Sequence, residues 1–329
     1  MKPQFSSFLL SLAALFILFS SAANSQEQPN RRVAVLQIVE HPALDATRKG
    51  VLDELTANGY IQGKNLEWIY ESAQGNPALA AQIARRFVNL QPDVIIAIAT
   101  TAAQAAQRAT QSLSIPVVFA SVTDPLAAKL VQNLQIPGQN ITGASNFIAV
   151  KPQLELFKKL FPQLKHLGVI YNPGEDNSVR MVQILTEGGH ELGIEVITAT
   201  ASRSVDVSQA ARSLATKTEG LLVTNDNTAL SAFSSVAKAA IQAKIPAFAS
   251  DDDVLSKGAL AVLGPNQYQL GRQTGKMVLS IFAGNSPSQM AIIYPEKVEL
   301  HLNQDVAKAI NYVFPTEFIK TANFILQSK

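Results

Sequence analysis

Cysteine is absent from all 329 residues. That excludes disulfides, thiolate metal ligands and thiol nucleophiles. It also leaves no cysteine to carry the lipid of an exported lipoprotein, so a chain released in soluble form is expected. Histidine is scarce and scattered: His41, His166, His190 and His301 show no spacing that would place two on one metal. Only 16% of residues are charged, and the balance of 27 Lys and Arg against 25 Asp and Glu leaves a net charge of +2. No basic cluster stands out, so binding of nucleic acid through phosphate neutralisation is not expected. Phosphate loops, G-x-G-x-x-G turns and G-x-S-x-G elbows are missing too. Nothing supports catalysis, and no cofactor is expected.

Long apolar runs are also lacking, with one exception. Phe8 to Phe19 is interrupted only by Ser11, follows the basic Lys2 and precedes the small residues Ser20 to Ser25. A dozen residues fall short of the roughly 20 a membrane helix needs. The pattern reads as a secretory signal covering residues 1–25. A periplasmic location follows as an expectation.

What the chain has is a repeat. Pro92 to Thr101 is a buried strand with a polar end; a helical stretch follows, then Ile115-Pro116-Val117-Val118-Phe119-Ala120-Ser121. About 130 residues later come Gly220 to Asn227, another helical stretch, and Ile245-Pro246-Ala247-Phe248-Ala249-Ser250. That period is too long for a solenoid unit and fits a duplicated domain. Continuous apolar runs such as Val33 to Ile38 and Leu167 to Tyr171 mark strands buried on both faces, and they alternate with helical segments. The expected fold class is α/β, with two doubly wound parallel-sheet domains, a multi-strand hinge and a ligand cleft between them. The expected first lobe is 31–146 plus about 266–285, because a helix near Tyr268 to Phe282 should return to it. The expected second lobe is 147–265 plus about 286–329. Asn177 is expected to cap the helix after the Leu167 strand.

In such sheets ligands bind beyond the carboxyl ends of the strands. Those ends hold His41, Thr100, Thr101, Ser121, Thr123, Asn172, Asn225, Asp226 and Asp251. The first-half residues are mostly neutral donors, and those of the second half are rich in acceptors. Donors facing carboxylates would suit a zwitterion. Several positions also have a plainer reading: Thr100 and Thr101 could cap a helix, His41 could be a turn residue, and Asp251-Asp252-Asp253 could serve a helix start. The three aspartates lack the alternating spacing of a calcium loop.

Several segments are familiar. Leu36 to Asp45, Ala97 to Ala105, Val122 to Pro125, Gly168 to Pro173, Thr224 to Thr228 and Leu270 to Gly275 resemble, in order, a bacterial ABC-transporter substrate-binding family. That family includes tryptophan- and tyrosine-type binders with the type I periplasmic-binding-protein fold. The resemblance implies a monomeric receptor that captures a small solute, here an apolar or aromatic amino acid, and delivers it to a membrane permease. It further implies Thr101 and Thr123 as carboxylate ligands and Asp226 and Asp251 as amine ligands. A periplasmic sensor reporting to a membrane signalling receptor is the alternative.

Overall fold

The computed structural model describes residues 28–328. The segment 1–25, expected to be a secretory signal, lies outside them. Among the described residues no helix is long and apolar enough to cross a membrane.

The first half runs β1 (Arg31–Gln37), α1 (Pro42–Ala57), β2 (Leu66–Ser72), α2 (Pro77–Asn89), β3 (Val94–Ile98), α3 (Thr100–Thr110), β4 (Val117–Val122) and β5 (Ile141–Ser145). The second starts with α4 (Val150–Leu160), β6 (His166–Tyr171), α5 (Asp176–Glu191), β7 (Glu195–Thr200) and α6 (Val207–Ala215). It continues with β8 (Gly220–Val223), α7 (Asn227–Ser231), α8 (Phe233–Ala243), β9 (Ala247–Ala249) and β10 (Ala261–Pro265). Then come α9 (Gln267–Phe282), β11 (Val298–Asn303), α10 (Gln304–Ala309), α11 (Thr316–Thr321) and β12 (Phe324–Leu326).

These strands form two sheets, ordered β2-β1-β3-β4-β5 and β12-β11-β10-β9-β8-β6-β7. The repeated strands, β3–β4 and β8–β9, are parallel neighbours in their respective sheets. Every residue of β3, β4, β8 and β9 is buried, which accounts for their unbroken apolar sequences. One pairing departs from the all-parallel expectation. β11 runs antiparallel to β10 because the chain re-enters the second sheet from the hinge side. β12, three residues long and too brief to read from pattern, pairs parallel to β11.

The return of α9 to the first sheet depends on close backbone contact with α1. A Cβ on Gly271 would lie 2.1 Å from the Thr47 carbonyl oxygen, and one on Gly50 would lie 2.2 Å from that of Tyr268. Only glycine lets the two helices approach so closely. Met277, Val278 and Ile281 of α9 then join the first core. The segment from 286, expected in the second lobe, stays with the first until Ile293. Gly138 N–H donates to Ser288 O, Thr142 Oγ1 to Met290 O, and Ile292 N–H to Leu134 O. The physical reason is that Ile292 is buried in the first core. Three strands of chain thus cross between the lobes, near 146–149, 265–266 and 294–297.

Candidate ligand-binding site

The carboxyl ends of both sheets face each other. Between them lies a small cavity of about 10 Å³, lined by polar residues from both lobes and by apolar Ala43, Leu44 and Leu230. From the first half come His41, at the N-terminal boundary of α1, then Thr100, Ser121 and Asn146. Asn177, Asn225, Asn227 and Asp251 face them, with Gln267 in the first turn of α9. Local backbone strain shapes the first wall. Ala99 and Ser121 hold φ of 78° and 54°, a left-handed region that side chains disfavour. Ala99 sits at the start of α3 and makes no side-chain cap, so the helix N-terminus is open to a ligand.

Among the described residues, three buried polar atoms of this lining have no hydrogen-bond partner: His41 Nδ1, Thr100 Oγ1 and Asn177 Oδ1. Their residues are 4%, 2% and 4% exposed, so water does not compensate them from outside. Burial also drives the His41 pKa down to about 4, leaving the ring neutral at neutral pH. Asp251 is pushed the other way, up to about 7, first by burial and then by Asp253 and Asp252. Gln267 opposes that rise by donating Nε2–H to Asp251 Oδ1 at 2.6 Å. Its Oε1 accepts from Ser121 Oγ at 2.9 Å, so one side chain spans the site.

The lobes are held in contact around the cavity. Asn225 Nδ2 donates to Thr123 Oγ1 and to Asn146 Oδ1, each at 3.1 Å. His41 Nε2 meets Asn227 Oδ1 at 3.3 Å. At the rim, Arg180 Nε donates to Asp124 Oδ2 at 3.1 Å and Gln104 Nε2 to Asp176 Oδ2 at 2.7 Å.

Five of the residues singled out from sequence line this cavity: His41, Thr100, Ser121, Asn225 and Asp251. Thr101 and Asn172 instead line a groove at the cleft edge. Thr123 is buried, and its hydroxyl pairs with Asn225 and Asn146. Asp226, expected to meet an amine, faces the interior of its own lobe. Its Oδ1 accepts Ala229 N–H at 2.6 Å to cap α7, and its Oδ2 accepts Asn172 N–H at 2.5 Å. Burial and the charge of Glu175 raise its pKa to about 7. The cap of α5 is also displaced. Glu175 occupies that position, and Asn177 lies inside the first turn.

Sequence reasoning placed Asn227 at a strand exit beside Asp226, and missed Asn146, Asn177 and Gln267 as lining residues. A signal existed for Gln267, since the residue after a hinge crossing at a helix start must lie near both lobes. Asn146 and Asn177 gave none, because Asn is common in loops and at helix starts.

The family of ABC transporter substrate binding proteins matches residues 32–325. A tyrosine-binding protein of Clostridioides difficile is 36% identical over 296 residues, covering 89% of this chain and 85% of that one. A crystal structure of an ABC domain from Streptococcus pneumonia in complex with L-Trp is 30% identical; the match covers 90% of this chain and all of that one, with a TM-score of 0.86. A ligand-free, open substrate binding protein with adhesive properties from Clostridium difficile is 36% identical. That match covers 91% of this chain and 100% of the other, with a TM-score of 0.68. Two α/β lobes with their strand ends turned toward a shared cavity form the type I periplasmic-binding-protein fold. Together with a match along nearly the whole described chain, they show that it belongs to the ABC transporter substrate binding protein family.

Proposed function

We propose that this chain is the periplasmic receptor of an ABC importer. It closes two lobes on one zwitterionic amino acid with an apolar or aromatic side chain and delivers it, as a monomer, to a membrane permease. The carrying observation is the enclosed cavity, into whose lining both lobes bring buried polar groups without partners. At about 10 Å³ it has room for roughly one water, so the lobes must part to admit a solute and close again around it. The ligand carboxylate meets the open N-terminus of α3 and the Thr100 hydroxyl, where the helix dipole favours an anion. The ammonium meets Asp251, and Ala43, Leu44 and Leu230 receive apolar surface.

The relatives support the solute class, since one is named for tyrosine and another holds L-Trp. The overlay supports closure on the ligand. The fit is better to the L-Trp complex, at 30% identity, than to the open ligand-free structure, at 36%.

A thermal-shift screen of the twenty amino acids tests this reading. A ligand present near 100 times its Kd should add about 2.7 kcal/mol of stability. No shift with any amino acid would remove that solute class.

A further inference from the structure

Glu175 is a buried acid, 7% exposed, that lines none of the enclosed cavity, yet it bonds to two side chains that do. Its Oε2 accepts Asn227 Nδ2 at 2.5 Å and Asn177 Nδ2 at 3.2 Å, together with the Asn227 backbone N–H at 3.1 Å. Its Oε1 accepts Thr228 N–H at 3.0 Å and Thr228 Oγ1 at 2.8 Å.

A carboxylate offers only acceptors, so each Asn must turn its NH2 group toward it. A flipped amide would set oxygen against oxygen at the same short distances. Asn177 is fixed twice, because its Nδ2 also donates to the Asn225 carbonyl at 2.6 Å. Both amide oxygens therefore point away from Glu175. Asn177 Oδ1 is left without a partner, and Asn227 Oδ1 faces His41 Nε2. An oxygen there requires a proton on Nε2. A neutral imidazole carries one N–H, so Nδ1 is a bare acceptor. It makes no bond to the start of α1, although His41 occupies the capping position.

We infer that Glu175 is a positioning residue that sets His41 and Asn177 as two acceptors in the ligand site, so that the site selects a solute whose side chain carries an N–H or O–H donor. This rests on the reading above, in which Asp251 takes the ammonium. A side chain offering only C–H leaves both acceptors buried and unpaired, and one offering an acceptor meets their lone pairs. Sites built to bond a donor reject the analogue that lacks it, because the protein's own groups lose their partner.

The test compares matched ligands on the intact protein by calorimetry: L-tyrosine against L-phenylalanine, and L-tryptophan against 1-methyl-L-tryptophan. The donor-bearing member of at least one pair should bind about tenfold tighter or more. Glu175→Gln should reduce that ratio to within about threefold, because an amide can point an N–H at either Asn. Asn177→Leu removes one acceptor without touching Glu175 and should lower the ratio as well. Independently of any ligand, ¹⁵N spectra of the His41 ring should show Nε2 protonated in the wild type, with the tautomers mixed in Glu175→Gln. Equal affinities within both pairs overturn the donor rule while leaving an amino-acid receptor standing. An Nδ1-protonated His41 in the wild type, or an unchanged tautomer in the variant, overturns the role of Glu175. If no amino acid binds, the solute class and the donor rule fall together, and the tautomer alone decides the role of Glu175.

Discussion

Asp251 should make ligand affinity depend on pH around neutrality. The residue is 2% exposed, and its carboxyl is pushed from 3.8 to about 7, mostly by burial. A shift of about 3 units corresponds to roughly 4 kcal/mol against ionisation in the empty site. A ligand ammonium binds the ionised form, so below the free-state value binding must first expel a proton. Kd should therefore rise about tenfold per pH unit below 7, and about 100-fold between pH 8 and pH 5. Titration calorimetry at pH 6, in two buffers of different ionisation enthalpy, should show about 0.9 proton released per ligand bound. His41, held at about 4, stays neutral across this window and adds nothing. Asp226 and Asp253, both pushed up to about 7, titrate in the same range, but neither lines the cavity. Asp251→Asn separates them: it should cost about 10- to 100-fold in affinity and flatten the profile. In the empty protein the raised value has a stability sign. The stability contributed by the neutral carboxyl is fully present below the unfolded value near 3.8 and is lost as pH rises through about 7. Ligand should accordingly raise Tm more at pH 8 than at pH 5. A Kd constant from pH 5 to pH 8, or the same slope in Asp251→Asn, would refute the ammonium assignment.

Two further outcomes follow from packing. Asp226→Ala removes a helix cap and the acceptor of Asn172 N–H. It should destabilise the protein by about 1–3 kcal/mol in chemical denaturation, while the folded fraction binds ligand within about threefold of wild type. A large affinity loss without a stability loss would return Asp226 to the ligand site. Gly271→Ala places a methyl against the Thr47 carbonyl and should cost about 1–3 kcal/mol or more as α9 is pushed from α1. An unchanged denaturation midpoint would contradict the close crossing.

Much of this architecture was legible because burial writes directly onto strands. Val94 to Ile98 and Gly220 to Val223 are covered on both faces, so their sequences are apolar without interruption. The strand exits located the site for the same reason, since polar residues just beyond such runs lie at one edge of the sheet. Direction within an exit was not legible. Asn225, Asp226 and Asn227 are consecutive, yet Asn225 and Asn227 line the cavity while Asp226 turns inward to cap α7. The charged residue looked the more functional of the three, but a carboxylate is also the better partner for free helix N–H groups. Glu175 was invisible for a related reason. Its partners on α5 and α7 lie 2 to 53 positions away and meet only after β6 and β8 pair in register. Pattern therefore locates the wall of such a site, while the orientation of its amides is set by a buried acid behind it. Changes at Glu175 would then alter which solutes the site accepts without altering any residue that lines it.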